Sequence, residues 1–256
     1  MSNGPGLALL ETDRRYFEIA AVREEMAGAT VAWMPGLAHL AAACVVHRTD
    51  AGRLPAPERW FPLLDDTLRR LGASWVRVYL EGQAGPLEAA LEANGCRPRA
   101  ETGYLGSLAR LPAEDVALLP VCDEQGWEEK LRLHQRAGTS SSLYRAGASE
   151  WVELERRKCE SGAMRAFLVT VDGTVCGTVC AISAGALLRV KNLLIESHVR
   201  GRGLAGAVLA QLSRLAEREG AAAVGAFAVE GSAGERLYRR AGFRAVARQV
   251  EWSRAL

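Results

Sequence analysis

Two segments of the chain repeat one pattern, and this repeat restricts the architecture more than any other feature. The first, GASWVRVYLEGQAGPLEAALEANGCRPRAETGYL, starts at Gly72, and the second, GAAAVGAFAVEGSAGERLYRRAGFRAVARQVEWS, starts at Gly220. Each contains a strand rich in β-branched and aromatic residues, an EG-x-AG turn, a short helix that ends at a glycine, and a second strand. The sequence therefore predicts a duplicated domain.

The boundary between the two copies is predicted near SLARLPAEDVALL, where Pro112 interrupts the pattern and a new strand begins. We therefore expect a first copy at residues 1–111 and a second copy at residues 112–256. A chain of 256 residues with 49% hydrophobic and 24% charged residues has the composition of ordinary folded domains.

The second copy predicts, in order, a strand, two helices, three strands, a helix, a strand, a helix and a strand. Asp172-Gly173 is typical of a two-residue hairpin turn, so the three consecutive strands around it should be antiparallel. Cys176 and Cys180 lie four residues apart in one of these strands, and we expect them on the same face. The fold class is α+β, with a mixed sheet.

A glycine motif, HVRGRGLAGAVL, lies where the third of these strands gives way to a helix, and it allows two registers. Gly201, Gly203 and Gly206 spell the G-x-G-x-x-G of dinucleotide-binding folds, whereas Arg200, Gly203 and Ala205 spell R-x-x-G-x-A. In both, the unpaired N–H groups of the first helical turn favour an anion. Close packing of the helix on the sheet is a further explanation for the glycines.

The surrounding strands favour the second register. A dinucleotide fingerprint opens a parallel βαβ unit, but this motif follows an antiparallel meander. No Gly-Lys-Ser or Gly-Lys-Thr occurs, so the nucleotide-binding P-loop pattern is absent as well.

The segment LLIESHVRGRGLAGAVLAQL, followed by VGAFAVEGSAGERLYRRAGFRAV, resembles the GNAT acetyltransferase superfamily. In that family Arg/Gln-x-x-Gly-x-Gly/Ala follows the fourth strand, and Arg200, Gly203 and Ala205 match it. The later Leu-Tyr-x-x-x-Gly-Phe signature is matched by Leu237, Tyr238, Gly242 and Phe243. The resemblance covers about residues 113–256 and implies two tandem GNAT-like domains, of which the N-terminal one is degenerate.

The resemblance also implies roles for individual residues. The loop after the fourth strand would bind the diphosphate of coenzyme A through backbone amides, and the strand itself would bind the pantetheine arm and splay from the next strand. The implied contacts with acetyl-CoA are Leu193, Leu194, Ile195, Arg200, Gly201, Arg202, Gly203, Leu204 and Ala205, with Ser232 as a further candidate. Tyr238 matches the tyrosine that protonates the departing thiolate, and packing beside Phe243 is the alternative role for its ring.

The chain departs from the family at the general base. Lys191 and Asn192 stand where many members carry Glu or Asp, so Glu196 is the candidate base as the nearest carboxylate on that strand. A solvated loop charge is the alternative explanation for Glu196 and for the neighbouring His198. His134 is expected on the surface of a helix that lines the acceptor side, and TSSSLY at 139–144 is a candidate contact with the acceptor.

The first copy lacks the features that carry this chemistry. Leu91 stands where the second copy has Tyr238, and the loop RTDAGRLPAPERW contains no Gly-x-Gly. We therefore expect no acetyl-CoA site in the first copy, which should pack against the second copy.

Composition restricts compartment and partners. The six cysteines form no CxxC pair and no zinc-ligand spacing, which predicts no metal site and a reducing compartment. No apolar stretch is long enough for a membrane span and no signal pattern opens the chain, so a cytoplasmic location without a membrane partner is expected. The net charge of +2 gives no reason for a nucleic-acid surface.

The leading hypothesis is an N-acetyltransferase that moves acetyl from acetyl-CoA to a primary amine, as in a small molecule. Two alternatives remain open: a tandem-GNAT transferase with another acyl donor such as an aminoacyl-tRNA, and a non-catalytic acyl-CoA-binding module. The sequence leaves open the acceptor and the oligomeric state.

Overall fold

A single mixed sheet of eleven strands runs through the part of the chain that the structure describes. The computed structural model describes residues 4–81, 85–107, 116–137 and 147–256. The helices in these ranges are α1 (Pro5–Glu18), α2 (Pro57–Arg70), α3 (Pro86–Ala93), α4 (Glu124–Ala137), α5 (Ala148–Glu160), α6 (Leu204–Arg218) and α7 (Ala233–Arg240). The strands are β1 (Val22–Met26), β2 (Ala29–Trp33), β3 (Cys44–His47), β4 (Trp75–Glu81), β5 (Arg97–Ser107), β6 (Val116–Pro120), β7 (Arg165–Val171), β8 (Thr174–Ala184), β9 (Leu187–Ile195), β10 (Ala223–Val229) and β11 (Arg244–Ala255).

The predicted order of elements is confirmed in both repeats. The first repeat folds as β4–α3–β5 and the second as β10–α7–β11, while the second copy as a whole follows the expected sequence of strands and helices. Asp172 and Gly173 both have positive φ, 49° and 75°, as a tight turn between antiparallel β7 and β8 requires. None of the described helices is long and apolar enough to cross a membrane.

The last strands of the two copies are exchanged. The order across the sheet is β1-β2-β3-β4-β11-β5-β10-β9-β8-β7-β6, so β11 lies between β4 and β5, and β5 lies between β11 and β10. β11 of the second copy thus pairs with β4 of the first copy, and β5 of the first copy pairs with β10 of the second. The predicted boundary at 111/112 falls within 108–115, outside the described residues, and the division there stays a prediction.

Helices cover both faces of the sheet. On β7, Phe167 and Val169 pack in the cluster that includes α6, whereas the alternating Ala166 and Leu168 pack with α1, α4 and α5. On β5, Tyr104 joins the α6 and α7 cluster, and Ala100, on the same face, borders the α2 and α3 cluster. We call the side under α2, α3, α6 and α7 the α6 face and the opposite side the α1 face.

Buried charges lie across the α1 face at the centre of the sheet. Asp13 on α1 accepts hydrogen bonds from Arg189 at 2.9 Å, from Lys191 at 3.1 Å and from Gln249 at 2.7 Å. Burial alone would raise the pKa of Asp13, but the two cations and the amide hold it well below its usual range. The carboxylate therefore joins α1 of the first copy to β9 and β11 of the second.

A second buried carboxylate fastens the exchanged strand β11. Glu251 accepts hydrogen bonds of 2.7 Å each from Arg77 on β4, from Arg99 on β5 and from the Tyr79 hydroxyl. Burial raises the pKa of Glu251, but the two arginines and the hydroxyl outweigh it and bring the pKa to about 2.

Glu251 should therefore make the stability of the protein depend on pH. Because its pKa is lower in the folded chain than in the unfolded one, its contribution is complete above about pH 4.5 and is lost as the pH falls towards 2. Glu251→Gln should lower the free energy of unfolding at pH 7 by about 3 kcal/mol, and by much less at pH 2. Urea unfolding at both pH values measures this, with exposed Glu92→Gln as control; an equal loss at both would contradict it.

Candidate active site

A β-bulge interrupts β9 near its end. Thr178 pairs with Leu194 and Cys180 with Lys191, so Val179 alone faces both Asn192 and Leu193. Asn192 has a φ of 53°, which is uncommon for a residue with a side chain. Its amide donates to Glu155 on α5 at 2.7 Å, so α5 holds the bulge in place.

β9 and β10 pair side by side only at their first residues and then separate. Their parallel pairing runs only from Leu187 and Ala223 to Arg189 and Gly225. After that point β9 continues along β8, and β10 continues along β5. The strands thus splay as the family resemblance implied, and Leu193 and Leu194 lie on the separated part of β9.

The glycine loop follows β9 and leads into α6. Gly201 and Gly203 have φ values of 80° and 81°, and Gly203 is the N-cap of α6. No side chain caps this helix and its first turn holds no acidic residue, so its N–H groups remain open to an anion. The exposed Arg200 donates from Nε to the carbonyl of Ile195 at 2.8 Å, which ties the loop back to the strand.

Tyr238 lies on α7 with its ring buried on the α6 face. The ring stacks on Tyr104 with centroids 5.9 Å apart and packs on Phe243 at 5.5 Å. Burial raises the pKa of Tyr238, so the phenol keeps its proton at neutral pH and can donate it. The packing role and the proposed chemical role are therefore compatible, and Tyr104 from the first copy contributes to the packing.

Ser232 begins α7 as its N-cap. The hydroxyl accepts a hydrogen bond from the backbone N–H of Glu235 at 3.2 Å, and the Glu235 carboxylate accepts from the N–H of Gly231. This reciprocal pair fixes the turn between β10 and α7. A contact of Ser232 with the cofactor stays a prediction.

Glu196, the candidate base, is buried rather than solvated. Its carboxylate accepts a hydrogen bond from Arg136 Nε on α4 at 2.8 Å, and its own N–H donates to the carbonyl of Cys176. His198 is exposed, in agreement with a solvated loop position.

His134 is buried, so the expected surface position is wrong. It lies where α4 packs against α5, 3.8 Å from the Glu155 carboxylate, which pairs with Lys130 at 3.0 Å. Burial lowers the pKa of His134 and the nearby carboxylate only partly opposes this, so the imidazole is neutral at pH 7. The candidate acceptor contact at 139–144 lies outside the described residues.

The corresponding region of the first copy is lined by ion pairs. Arg48, directly after β3, binds Glu11 and Glu18 at 2.9 Å each, and Arg14 binds Glu81 at the end of β4. Leu91, at the position of Tyr238, is fully buried. The lack of an acetyl-CoA site in this copy stays a prediction.

No group of three or more His, Cys, Asp or Glu that could hold a metal lies within the described ranges. Residues 139–253 match the family profile of the acetyltransferase (GNAT) domain. This part of the chain is a GNAT acetyltransferase domain. No curated protein matches the chain.

Solved structures share the fold of the whole chain, including the first copy. A GCN5-related N-acetyltransferase from Kribbella flavida has a TM-score of 0.65 at 16% identity, covering 98% of this chain and 96% of its own. A functionally unknown conserved protein from Staphylococcus epidermidis reaches 0.70 at 11% identity, with 94% and 96% covered. A tandem GNAT protein from the clavulanic acid biosynthesis pathway reaches 0.57 at 15% identity, with 89% and 78% covered.

The two registers of the glycine loop share Gly203 but only G-x-G-x-x-G contains Gly206, so comparing substitutions at these two positions should distinguish the registers. Gly203 has a left-handed φ, so Gly203→Ala should lower the stability by about 1 kcal/mol. Gly206 lies inside α6 with open space around it, so Gly206→Ala should raise the stability by up to about 1 kcal/mol through helix propensity. Thermal unfolding of both variants measures this; equal losses would contradict the R-x-x-G-x-A register.

Proposed function

We propose that the GNAT domain transfers the acetyl group of acetyl-CoA to a primary amine of a small molecule. The observation that carries this proposal is the gap between β9 and β10, which leads towards the uncapped N-terminus of α6. Such a gap admits an extended pantetheine arm, while the helix N-terminus attracts a diphosphate. The cytoplasmic location is part of the proposal and is supported by the six free cysteines.

The proposed reaction is a direct attack of the amine on the thioester. A neutral amine attacks the carbonyl carbon, and backbone N–H groups of the bulged β9 stabilise the oxyanion. The carbon–sulfur bond then breaks, and Tyr238 donates its phenolic proton to the thiolate. The amine must also lose a proton, which requires a base or water.

One observation favours a second candidate, an acyl-CoA-binding module without turnover. Glu196 is engaged by Arg136, and β9 carries Lys191 and Asn192 where a carboxylate base is expected. A screen of primary amines that detects released thiol separates the two functions, because a binding module releases none. An aminoacyl-tRNA donor would instead show binding that weakens steeply with salt.

A negative charge at the start of α6 should weaken diphosphate binding without unfolding the helix. Ala205→Asp places a carboxylate in the first turn, where it favours the helix dipole but repels phosphate. We expect the Kd for coenzyme A to rise at least about 10-fold, a difference of about 1.4 kcal/mol, with the melting temperature retained. Isothermal titration calorimetry measures this. Ala222→Asp, exposed beyond the other end of α6, is the control, and unchanged affinity in Ala205→Asp would place the diphosphate elsewhere.

Removal of the Tyr238 hydroxyl should slow turnover and leave binding intact. Tyr238→Phe keeps the ring that packs on Tyr104 and Phe243 but removes the proton donor. We expect kcat to fall about 100-fold, the usual scale for loss of a general acid, with little change in coenzyme A affinity. Steady-state thiol release and calorimetry measure the two effects, and unchanged kcat would remove Tyr238 from the mechanism.

A further inference from the structure

The exchanged strand β5 brings a carboxylate of the first copy beside the separated part of β10. Glu101 pairs with Val229 on β10 and with Gln249 on β11. Side chains alternate along a strand, so Glu101 faces the α1 face whereas Tyr104, which stacks on Tyr238, faces the α6 face. Glu101 and Tyr238 thus lie on opposite sides of the sheet.

Three other carboxylates on the α1 face are neutralised by cations. Asp13 binds Arg189 and Lys191, Glu251 binds Arg77 and Arg99, and the fully buried Glu155 binds Lys130. Glu196, directly after β9, is paired with Arg136. The cations beside Asp13 and Glu251 lower the pKa of these two carboxyl groups, which makes both carboxylates weaker bases.

Glu101 differs from them in its partners. It accepts a hydrogen bond from the neutral amide of Gln249 at 2.9 Å and only a long one, 3.4 Å, from Arg99. The same Arg99 nitrogen lies closer to Glu251, at 2.7 Å. The side chain of Glu101 keeps 12% of its surface exposed, so it is buried yet accessible.

The environment of Glu101 raises the pKa of its carboxyl group. Asp13 faces it from α1 and Glu251 from β11, while Arg99 on β5 and Lys191 on β9 are the nearby cations. Burial and the two carboxylates raise the pKa of Glu101, and Gln249 and Arg99 only partly oppose this. A carboxylate of this kind takes up a proton at higher pH than a free one, as proton transfer from an amine requires.

We propose that Glu101, carried by β5 into the sheet of the second copy, accepts the proton that the attacking amine releases. This inference rests on the proposed acetyl transfer. As the nitrogen–carbon bond forms, one N–H proton passes to a Glu101 carboxylate oxygen. The carbon–sulfur bond breaks, and the thiolate takes the Tyr238 proton from the α6 face. Solvent then returns a proton to the phenolate and removes the proton from Glu101.

Glu101→Gln tests the role directly. With an acceptor found for the wild type, kcat should fall about 100-fold at neutral pH, and the decline of kcat towards low pH should disappear. Glu101→Asp keeps a carboxylate, so that decline should persist at an intermediate rate. Coenzyme A affinity and melting temperature should be retained in both variants, and exposed Glu92→Gln should behave as wild type.

The outcomes separate the inference from the proposed function. If the wild type releases no thiol with any amine, acetyl transfer fails and the role of Glu101 fails with it. If the wild type is active and Glu101→Gln retains both its kcat and its pH profile, the role of Glu101 alone is overturned.

The titration of Glu101 gives a readout that needs no acceptor. In protein labelled with ¹³C at glutamate carboxyl carbons, the signal missing from Glu101→Gln identifies this residue. Its pKa should lie above the ordinary glutamate value of about 4.3. A pKa below that value would mean that a cation neutralises Glu101, and would overturn the proposal.

Discussion

The ladder between β5 and β11 joins the two copies, and each strand pairs on its other side with the copy from which it does not come. Backbone pairing of this kind satisfies N–H and C=O groups that would otherwise be buried without partners. The positions of Tyr104 under Tyr238 and of Glu101 beside β10 both depend on it. The geometry of the candidate site is therefore set in part by residues outside residues 139–253.

Charge pairing on the α1 face accompanies this exchange. Burying Asp13, Glu251 and their arginine partners costs desolvation energy, which close ion pairs and hydrogen bonds offset. Removing one member leaves the other charge buried and unpaired, so these contacts favour this arrangement of strands over others. The hydrogen bond between Asn192 and Glu155 acts more locally, since it fixes the bulge on the part of β9 that has already separated from β10.

Local features of the fold could be predicted from the sequence because neighbouring residues determine them. The Asp172-Gly173 turn requires two positive φ values, and the glycine loop requires the left-handed Gly203 at the start of α6. The β-bulges could not be predicted from the sequence. In β8 an extra residue at Cys176 reverses the alternation of side chains, so Cys176 and Cys180 pack on opposite faces. The expectation that they share a face is therefore wrong. The strand exchange could not be predicted either, because β11 has the same local sequence pattern whichever copy it pairs with. Glu101 was missed for that reason.

The strand exchange also limits which substitutions the two copies can tolerate. Gly103 on β5 has no side chain and leaves room for Phe227 of the second copy. A Cβ atom added at this position would lie only 2.8 Å from the Phe227 ring. A substitution on β5 of the first copy would thus change the packing of β10 in the second copy, and loss of the first copy would remove β5, with which β10 pairs. Strand exchange therefore makes each copy part of the other's sheet, so that neither can be lost without damage to the other.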